Sequence, residues 1–216
     1  MLLAIDTSTV DAGIACYDGE RGALGECVWR AGRDHTAQLV PQIDLLLRHL
    51  RCAHSDIRAV AVALGPGSWS GLRVGMSVAK GFALARDLPL IGIGTLQALA
   101  YQHRVAHLRV VPIVNLGRGR VATLADDAQE PQSLTLGDLA AMINEPALFC
   151  GDIDAGIQAT LRRLLPDRAR FPSPAANVRR PAYLAELAWK RLVAGERDSV
   201  ATLEPVYLGQ AVKAAG

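Results

Sequence analysis

The sequence predicts an α/β fold built as two lobes of similar design, and three observations predict it. A strand-rich stretch opens the chain. A buried apolar run, Ala59 to Leu64, then enters a glycine turn and a helical pattern that ends near Leu84. After about residue 105 the theme returns in weaker form, with an apolar strand from Arg109 to Leu116, a turn at Gly117-Arg118-Gly119 and a further strand. A chain of 216 residues, 50% of them apolar, is long enough for one large domain or two small lobes with real cores. The expected division is 1–105 for an N-terminal lobe and 106–216 for a smaller C-terminal lobe whose tail packs back.

Met1 to Asp6 is an apolar run closed by a carboxylate. Thr7-Ser8-Thr9 is turn chemistry, and Gly13-Ile14-Ala15-Cys16-Tyr17 reads as a second strand. A turn at Asp18–Gly22 leads to a third strand, Leu24 to Arg30, so the first 30 residues read as an antiparallel meander. A helix follows with Thr36 as its expected cap, Pro41 in its first turn, and Leu39, Ile43, Leu46, Leu47 and Leu50 as its apolar face. Next come the strand 59–64, the helix 70–85, a short buried strand Leu90-Ile91-Gly92-Ile93, and a helix from Thr95 to about Gln102. The second half reads as strands at 109–116, 120–125 and 147–150 and helices at 136–144, 155–165 and 181–194. Pro172-Ser173-Pro174 is a loop, and Leu203 to Gly209 is an extended docked segment before a frayed end.

The net charge is only +2, so no basic field marks a nucleic-acid surface. Only Lys80, Lys190 and Lys213 are lysines; the remaining basic residues are arginines, a bias that a GC-rich genome explains. No segment reaches the ~18 apolar residues of a spanning helix, and Asp6 interrupts the first apolar run, which argues against a signal peptide. Cys16, Cys27, Cys52 and Cys150 show no C-x-x-C spacing and read as reduced core thiols of a cytoplasmic protein, without structural zinc.

The stretch Gly65-Pro66-Gly67-Ser68-Trp69-Ser70-Gly71-Leu72-Arg73 carries the most information. A glycine turn between a strand and a helix N-terminus is either an anion cradle or a tight packing corner. Within the helix, Gly71, Gly75, Ala79 and Ala83 recur every four residues and form a ridge of small side chains, flanked by Leu72, Met76 and Phe82. That ridge either packs on the chain's own sheet or meets a helix of a partner. Arg73 opposes the helix dipole near its positive end, which suggests a partner carboxylate or phosphate; Trp69 reads as a lid over the apolar corner or, alternatively, as a contact residue for a partner. Cys52 and His54 lack an orienting third group and read as chance neighbours. His103 and His107 are four apart, but Arg104 and Arg109 crowd them and no carboxylate is near to complete a metal site.

Ala4-Ile5-Asp6-Thr7-Ser8-Thr9, His35-Thr36, the glycine string 65–73, Gly92-Ile93-Gly94-Thr95-Leu96 and Glu204-Pro205-Val206-Tyr207-Leu208 together resemble the bacterial TsaB (YeaZ) family, in order and spacing. The resemblance is strong over residues 1–100 and thin beyond. It implies an actin-like ATPase (ASKHA, ribonuclease H-like) fold of mixed sheets flanked by helices. It implies a non-catalytic scaffold in N6-threonylcarbamoylation of the tRNA adenosine next to the anticodon. The implied partners are a catalytic TsaD-like paralogue, a TsaE-like ATPase, a second copy when the chain is alone, and tRNA only through the complex. It selects the partner interface for the ridge: Gly71, Leu72, Gly75, Met76, Ala79, Phe82 and Ala83, with Leu39 and Ile43 of the preceding helix.

In the catalytic paralogue an H-x-x-x-H pair binds a metal. Thr95 and Leu99 stand at the equivalent positions here, and neither replaces an imidazole. Asp6, Thr7, Ser8 and Thr9 match the superfamily's first phosphate loop and read as vestigial, Asp6 being a turn-former. In the second lobe Asn115 replaces the family's Asp and Arg120 stands where an acid is usual. A neutral amide does not hold Mg²⁺ as a carboxylate does, and Cys150–Gly156 is only a weak adenosine loop. No cofactor is expected. The alternatives are an ATP- or metal-dependent enzyme of the ASKHA/M22 glycoprotease superfamily, or a homodimeric binding module with another client.

Overall fold

The computed structural model describes residues 1–104, 107–124 and 130–208. The first sheet contains β1 (Leu2–Asp6), β2 (Asp11–Asp18), β3 (Gly22–Arg30), β4 (Ala59–Ala63) and β5 (Leu90–Ile93), in the order β3-β2-β1-β4-β5. β1, β2 and β3 pair antiparallel, whereas β4 and β5 run parallel to β1. The second sheet contains β6 (Arg109–Gly117), β7 (Arg120–Thr123), β8 (Gln132–Thr135), β9 (Ala147–Gly151) and β10 (Ala169–Arg170), in the order β10-β9-β6-β7-β8. It repeats the first strand for strand: an antiparallel meander, then two parallel strands laid beside its first member.

The helices repeat as well. α1 (His35–His49), α2 (Trp69–Arg86) and α3 (Thr95–Gln102) follow β3, β4 and β5. α4 (Leu136–Ala141), α5 (Ala155–Leu164) and α6 (Pro181–Val193) follow β8, β9 and β10.

β1 and β4 are buried on both faces, which is why they read as unbroken apolar runs. Leu3, Ile5, Val60 and Val62 meet α1 and α2 on one face. Leu2, Ala4, Ala59, Ala61 and Ala63 meet Ala182, Leu184, Ala185 and Ala188 of α6 on the other, where alanine on both sides lets helix and sheet approach closely. α6 therefore follows the second sheet in sequence but packs on the first, and the first lobe is discontinuous in the chain. In turn, Leu96 and Leu99 of α3 pack with Val114 and Ala122 of the second sheet. Residues 105 and 106, where the lobes were expected to divide, lie outside the described residues.

Four elements differ from expectation. α1 begins at His35 behind Asp34, because the Ala37 and Gln38 N–H groups already donate to the Asp34 carbonyl; Thr36 is thus inside the helix, and Pro41 falls in the second turn. β8 was not foreseen, since Gln132-Ser133-Leu134-Thr135 has little strand character of its own and is ordered by pairing with β7. β10 spans only Ala169 and Arg170 and exists by pairing with β9. The expected strand 120–125 ends at Thr123, and its residue 125 lies outside the described residues.

After α6 the chain returns along the β5 edge. The Asp198 N–H donates to the Leu90 carbonyl, and the Asp198 carboxylate accepts from the Gly92 N–H at 2.7 Å. Further on, the Val206 N–H donates to the Leu64 carbonyl at 2.7 Å, and Leu208 reaches the apolar cluster between α3 and the second sheet. Gly209 lies outside the described residues.

Candidate functional site

The end of β1, the glycine turn before α2 and the first turn of α3 meet in one buried corner. The Ser8 N–H and hydroxyl both donate to Asp6 Oδ1, at 2.9 and 2.6 Å. The Thr7 hydroxyl donates to the Gly71 carbonyl at 2.7 Å, and the Ser68 N–H donates to the Ser8 carbonyl at 2.6 Å. The glycines are needed for contact: a Cβ on Gly67 or Gly71 would stand 2.1 Å from the Ser8 or Thr7 carbonyl oxygen, respectively. Gly65 sits at φ 97° before a cis bond to Pro66. His35, also buried, donates from Nε2 to the Thr9 carbonyl at 2.9 Å.

This corner forms one wall of a cleft of about 810 Å³ between the lobes. The facing wall carries Asn115, Asp152, Asp154 and Asn177, and Arg179 lines the cleft with them. The Asn115 side chain accepts from the Gly117 N–H at 2.8 Å and so closes its own turn, while its backbone N–H donates to Asp152 at 3.1 Å. Asp154 caps α5 by accepting from the Ile157 N–H at 2.8 Å. Arg179 donates to Ser8 Oγ at 3.0 Å and to Asp152 Oδ1 at 2.9 Å, and so bridges the two walls. Its side chain is 12% exposed. Sequence reasoning did not single out Arg179: it sits in an irregular segment, and nothing in its neighbours marks it.

The residues proposed as a phosphate loop are therefore together, but their donors point inward. Ser8 spends both its N–H and its hydroxyl on Asp6, Thr7 holds α2, and the Arg179 guanidinium already occupies Ser8 Oγ and Asp152. This donor set does not fit a magnesium nucleotide. Nor does the Thr95–Leu99 pair fit a metal. The Thr95 hydroxyl accepts from the Gly65 N–H at 3.1 Å, its own N–H donates back to the Gly65 carbonyl at 2.9 Å, and Leu99 is core. Among the described residues no group of three or more His, Cys, Asp and Glu is placed to hold an ion.

His103 is buried at the end of α3, where desolvation pushes its pKa below the usual histidine value; His107 is exposed at φ 66°, off the helix. The Cys52 thiol donates to the Leu50 carbonyl, and His54 bonds Asp44 at 2.8 Å and stacks on Phe82, so they do not form a nucleophile–base pair.

The ridge on α2 requires a correction. Gly71, Leu72, Gly75, Met76, Ala79 and Ala83 are buried within the chain, as are Leu39 and Ile43 of α1, and Phe82 is half-buried. A Cβ on Gly75 would lie 2.3 Å from Thr7 Oγ1 and 3.5 Å from Ile5 Cγ2. The small side chains let α2 sit on β1, so they serve the chain's own sheet and are not a surface for a partner. The outward residues of these helices include Val40 and Leu45 on α1 and Trp69, Arg73, Ser77, Gly81 and Leu84 on α2. Leu84 is 72% exposed and Trp69 57%. Arg73 finds its partners inside the chain: its guanidinium lies 3.5 Å from the Trp69 ring centre, and its Nε donates to the Tyr207 hydroxyl at 3.3 Å. Trp69 is an exposed platform for Arg73, with Tyr207 alongside at 6.5 Å, and not a lid over the corner.

Two sheets of one topology, each followed by helices in the same order and facing each other across a cleft, define a two-lobed protein of the actin-like ATPase fold. Its likeness to component A of (R)-2-hydroxyglutaryl-CoA dehydratase from Acidaminococcus fermentans is one of fold alone, with a TM-score of 0.56, 11% identity, and coverage of 89% of this chain and 98% of that one. YeaZ from Pseudomonas aeruginosa superposes with a TM-score of 0.77 at 24% identity, over 96% of this chain and 99% of that one. The family model for TsaD, tRNA N6-adenosine threonylcarbamoyltransferase, matches residues 29–141, just over half of the chain. The Bacillus subtilis (strain 168) tRNA threonylcarbamoyladenosine biosynthesis protein TsaB is 29% identical over 218 residues, spanning 96% of this chain and 93% of that protein. The chain belongs to the TsaB (YeaZ) family.

Proposed function

We propose that this chain serves tRNA threonylcarbamoyladenosine biosynthesis as a non-catalytic subunit, pairing with a TsaD-like catalytic paralogue and working with a TsaE-like ATPase in the cytoplasm. The observation that carries this reading is the reciprocal bonding of Thr95 and Gly65. At the place where the catalytic relative is expected to present a metal-binding histidine, this chain has a hydroxyl already committed to the glycine turn. The inward-facing donors of Asp6 and Ser8 support it further. The outward faces of α1 and α2, with Val40, Leu45 and Leu84 exposed, are the surface proposed to meet the paralogue. Such an interface should bury ~1,200–2,000 Å² in total. Among the described residues no helix is long and apolar enough to cross a membrane.

Co-purification from the native host with its TsaD-like protein tests the reading. The wild-type chain should bring the paralogue down, and a Val40→Asp/Leu84→Asp variant should not, although both positions are exposed and its melting temperature should be unchanged. Failure of the wild-type chain to pair, undiminished pairing by the variant, or turnover by the isolated chain would each refute it.

A further inference from the structure

The two lobes are joined by two chain crossings, one from α3 into β6 and one from β10 into α6. In a two-lobed fold, such crossings act as hinges when their backbone torsions are free to change. Here the second crossing is held on both sides. Gln102, at the end of α3, donates from Nε2 to the carbonyls of Ala176 and Val178 at 3.3 and 2.8 Å, and its Oε1 accepts from the Arg180 N–H at 3.0 Å. One side chain thus stitches one crossing to the other. Between those points the Asn177 side chain grips Gly151 of the second sheet, accepting from its N–H at 2.9 Å and donating to its carbonyl at 2.7 Å. Arg179 then spans the cleft from Ser8 to Asp152, and Arg180 pairs with Glu26 of the first sheet at 2.6 Å.

We propose that Gln102, Asn177 and Arg179 form a pin that fixes the angle between the lobes, so that this cleft neither opens nor closes around a ligand. The Arg179 guanidinium is the internal cation of the pin. It satisfies Asp152 and is itself shielded from water, so swinging the lobes apart would leave both charges unpaired at a half-closed site. Rotation about the crossing must also break the bonds that hold the carbonyls of 176 and 178 and the N–H of 180. A rigid inter-lobe angle suits a subunit that offers a fixed surface. The pin stands on its own bonds, however, and not on the reading of a non-catalytic subunit.

Pulsed electron paramagnetic resonance on the full chain tests it. Spin labels are placed at Ala37→Cys on α1 and Ala159→Cys on α5, both exposed, with Cys27 and Cys52 replaced by serine and the buried Cys16 and Cys150 left in place. The labelled chain should show one narrow distance distribution that does not move when Mg–ADP is added. Replacing Gln102 and Arg179 together by methionine should make the distribution about twofold broader, with circular dichroism unchanged, because two-state hinge motion then becomes accessible. A broad distribution before any such replacement, a shift on adding Mg–ADP, or an equally narrow distribution in the double variant overturns the proposal. The first two outcomes need no variant that folds. Because a chain with a mobile hinge could still pair with its paralogue, failure here is distinguishable from failure of the proposed function.

Discussion

Replacing Gly71 by alanine separates the internal role of the α2 ridge from an external one. The new Cβ would lie 2.1 Å from the Thr7 carbonyl oxygen, a backbone atom that cannot swing aside. To go from 2.1 Å to an ordinary contact of 3.4 Å the start of α2 must move away from β1 by about 1.3 Å, which is overpacking and costs about 1–3 kcal/mol. The same movement stretches the 2.7 Å bond from the Thr7 hydroxyl to the Gly71 carbonyl, worth a further ~0.5–1.5 kcal/mol. Alanine returns up to ~1 kcal/mol through its better helix propensity. The net loss is about 1–3 kcal/mol, or a melting temperature lower by roughly 3–10 °C for a chain of this size. Gly81 on the same helix is exposed and has nothing within 4 Å of its would-be Cβ. There the same substitution should raise stability by ~0.5–1 kcal/mol. Urea titration with an unchanged slope, together with thermal melts, measures both. Equal or same-signed effects at the two positions would show that the ridge does not bear on β1 and would refute the packing described here.

Other outcomes follow from the same geometry. Asp6→Asn keeps the shape but weakens the acceptor for the Ser8 N–H and hydroxyl, and should destabilise by about 1–3 kcal/mol in the same urea assay. His103 is buried with its pKa held below 6.5 by desolvation, so the unfolded chain takes up its proton first as the pH falls. Stability should hold above the ordinary histidine value of 6.5 and decline as the pH drops from there toward the folded value. His103→Gln should flatten that part of a urea-midpoint profile against pH, and an unaltered profile would count against the assignment. Burial pushes the Cys150 thiol up to about 12 and Cys16 up to about 11. Iodoacetamide at mildly alkaline pH should therefore modify only Cys27 and Cys52 in the native chain and all four cysteines in urea, as read by mass spectrometry.

The sequence by itself determined the elements whose signal is local. β1 and β4 are unbroken apolar runs because helices cover both faces of the first sheet, and the glycine string marked a strand-to-helix turn, either an anion cradle or a packing corner, which the Ser8 and Thr7 carbonyls against Gly67 and Gly71 decide for the corner. That Thr95 and Leu99 offer no imidazole and Asn115 no carboxylate was legible residue by residue. What only the tertiary structure decided was direction and company. A four-residue spacing of small side chains is identical whether the ridge meets a sheet or a partner helix; Thr7 and Ile5 under Gly75 settle it. β8 and β10 carry little signal of their own, because their order comes from neighbours across the sheet. α6 reads as part of the second half, yet buries its alanines on the first sheet. Arg179 was invisible for the same reason: Ser8 and Asp152 stand 171 and 27 residues away along the chain, and no local pattern encodes a side chain whose partners are assembled by folding.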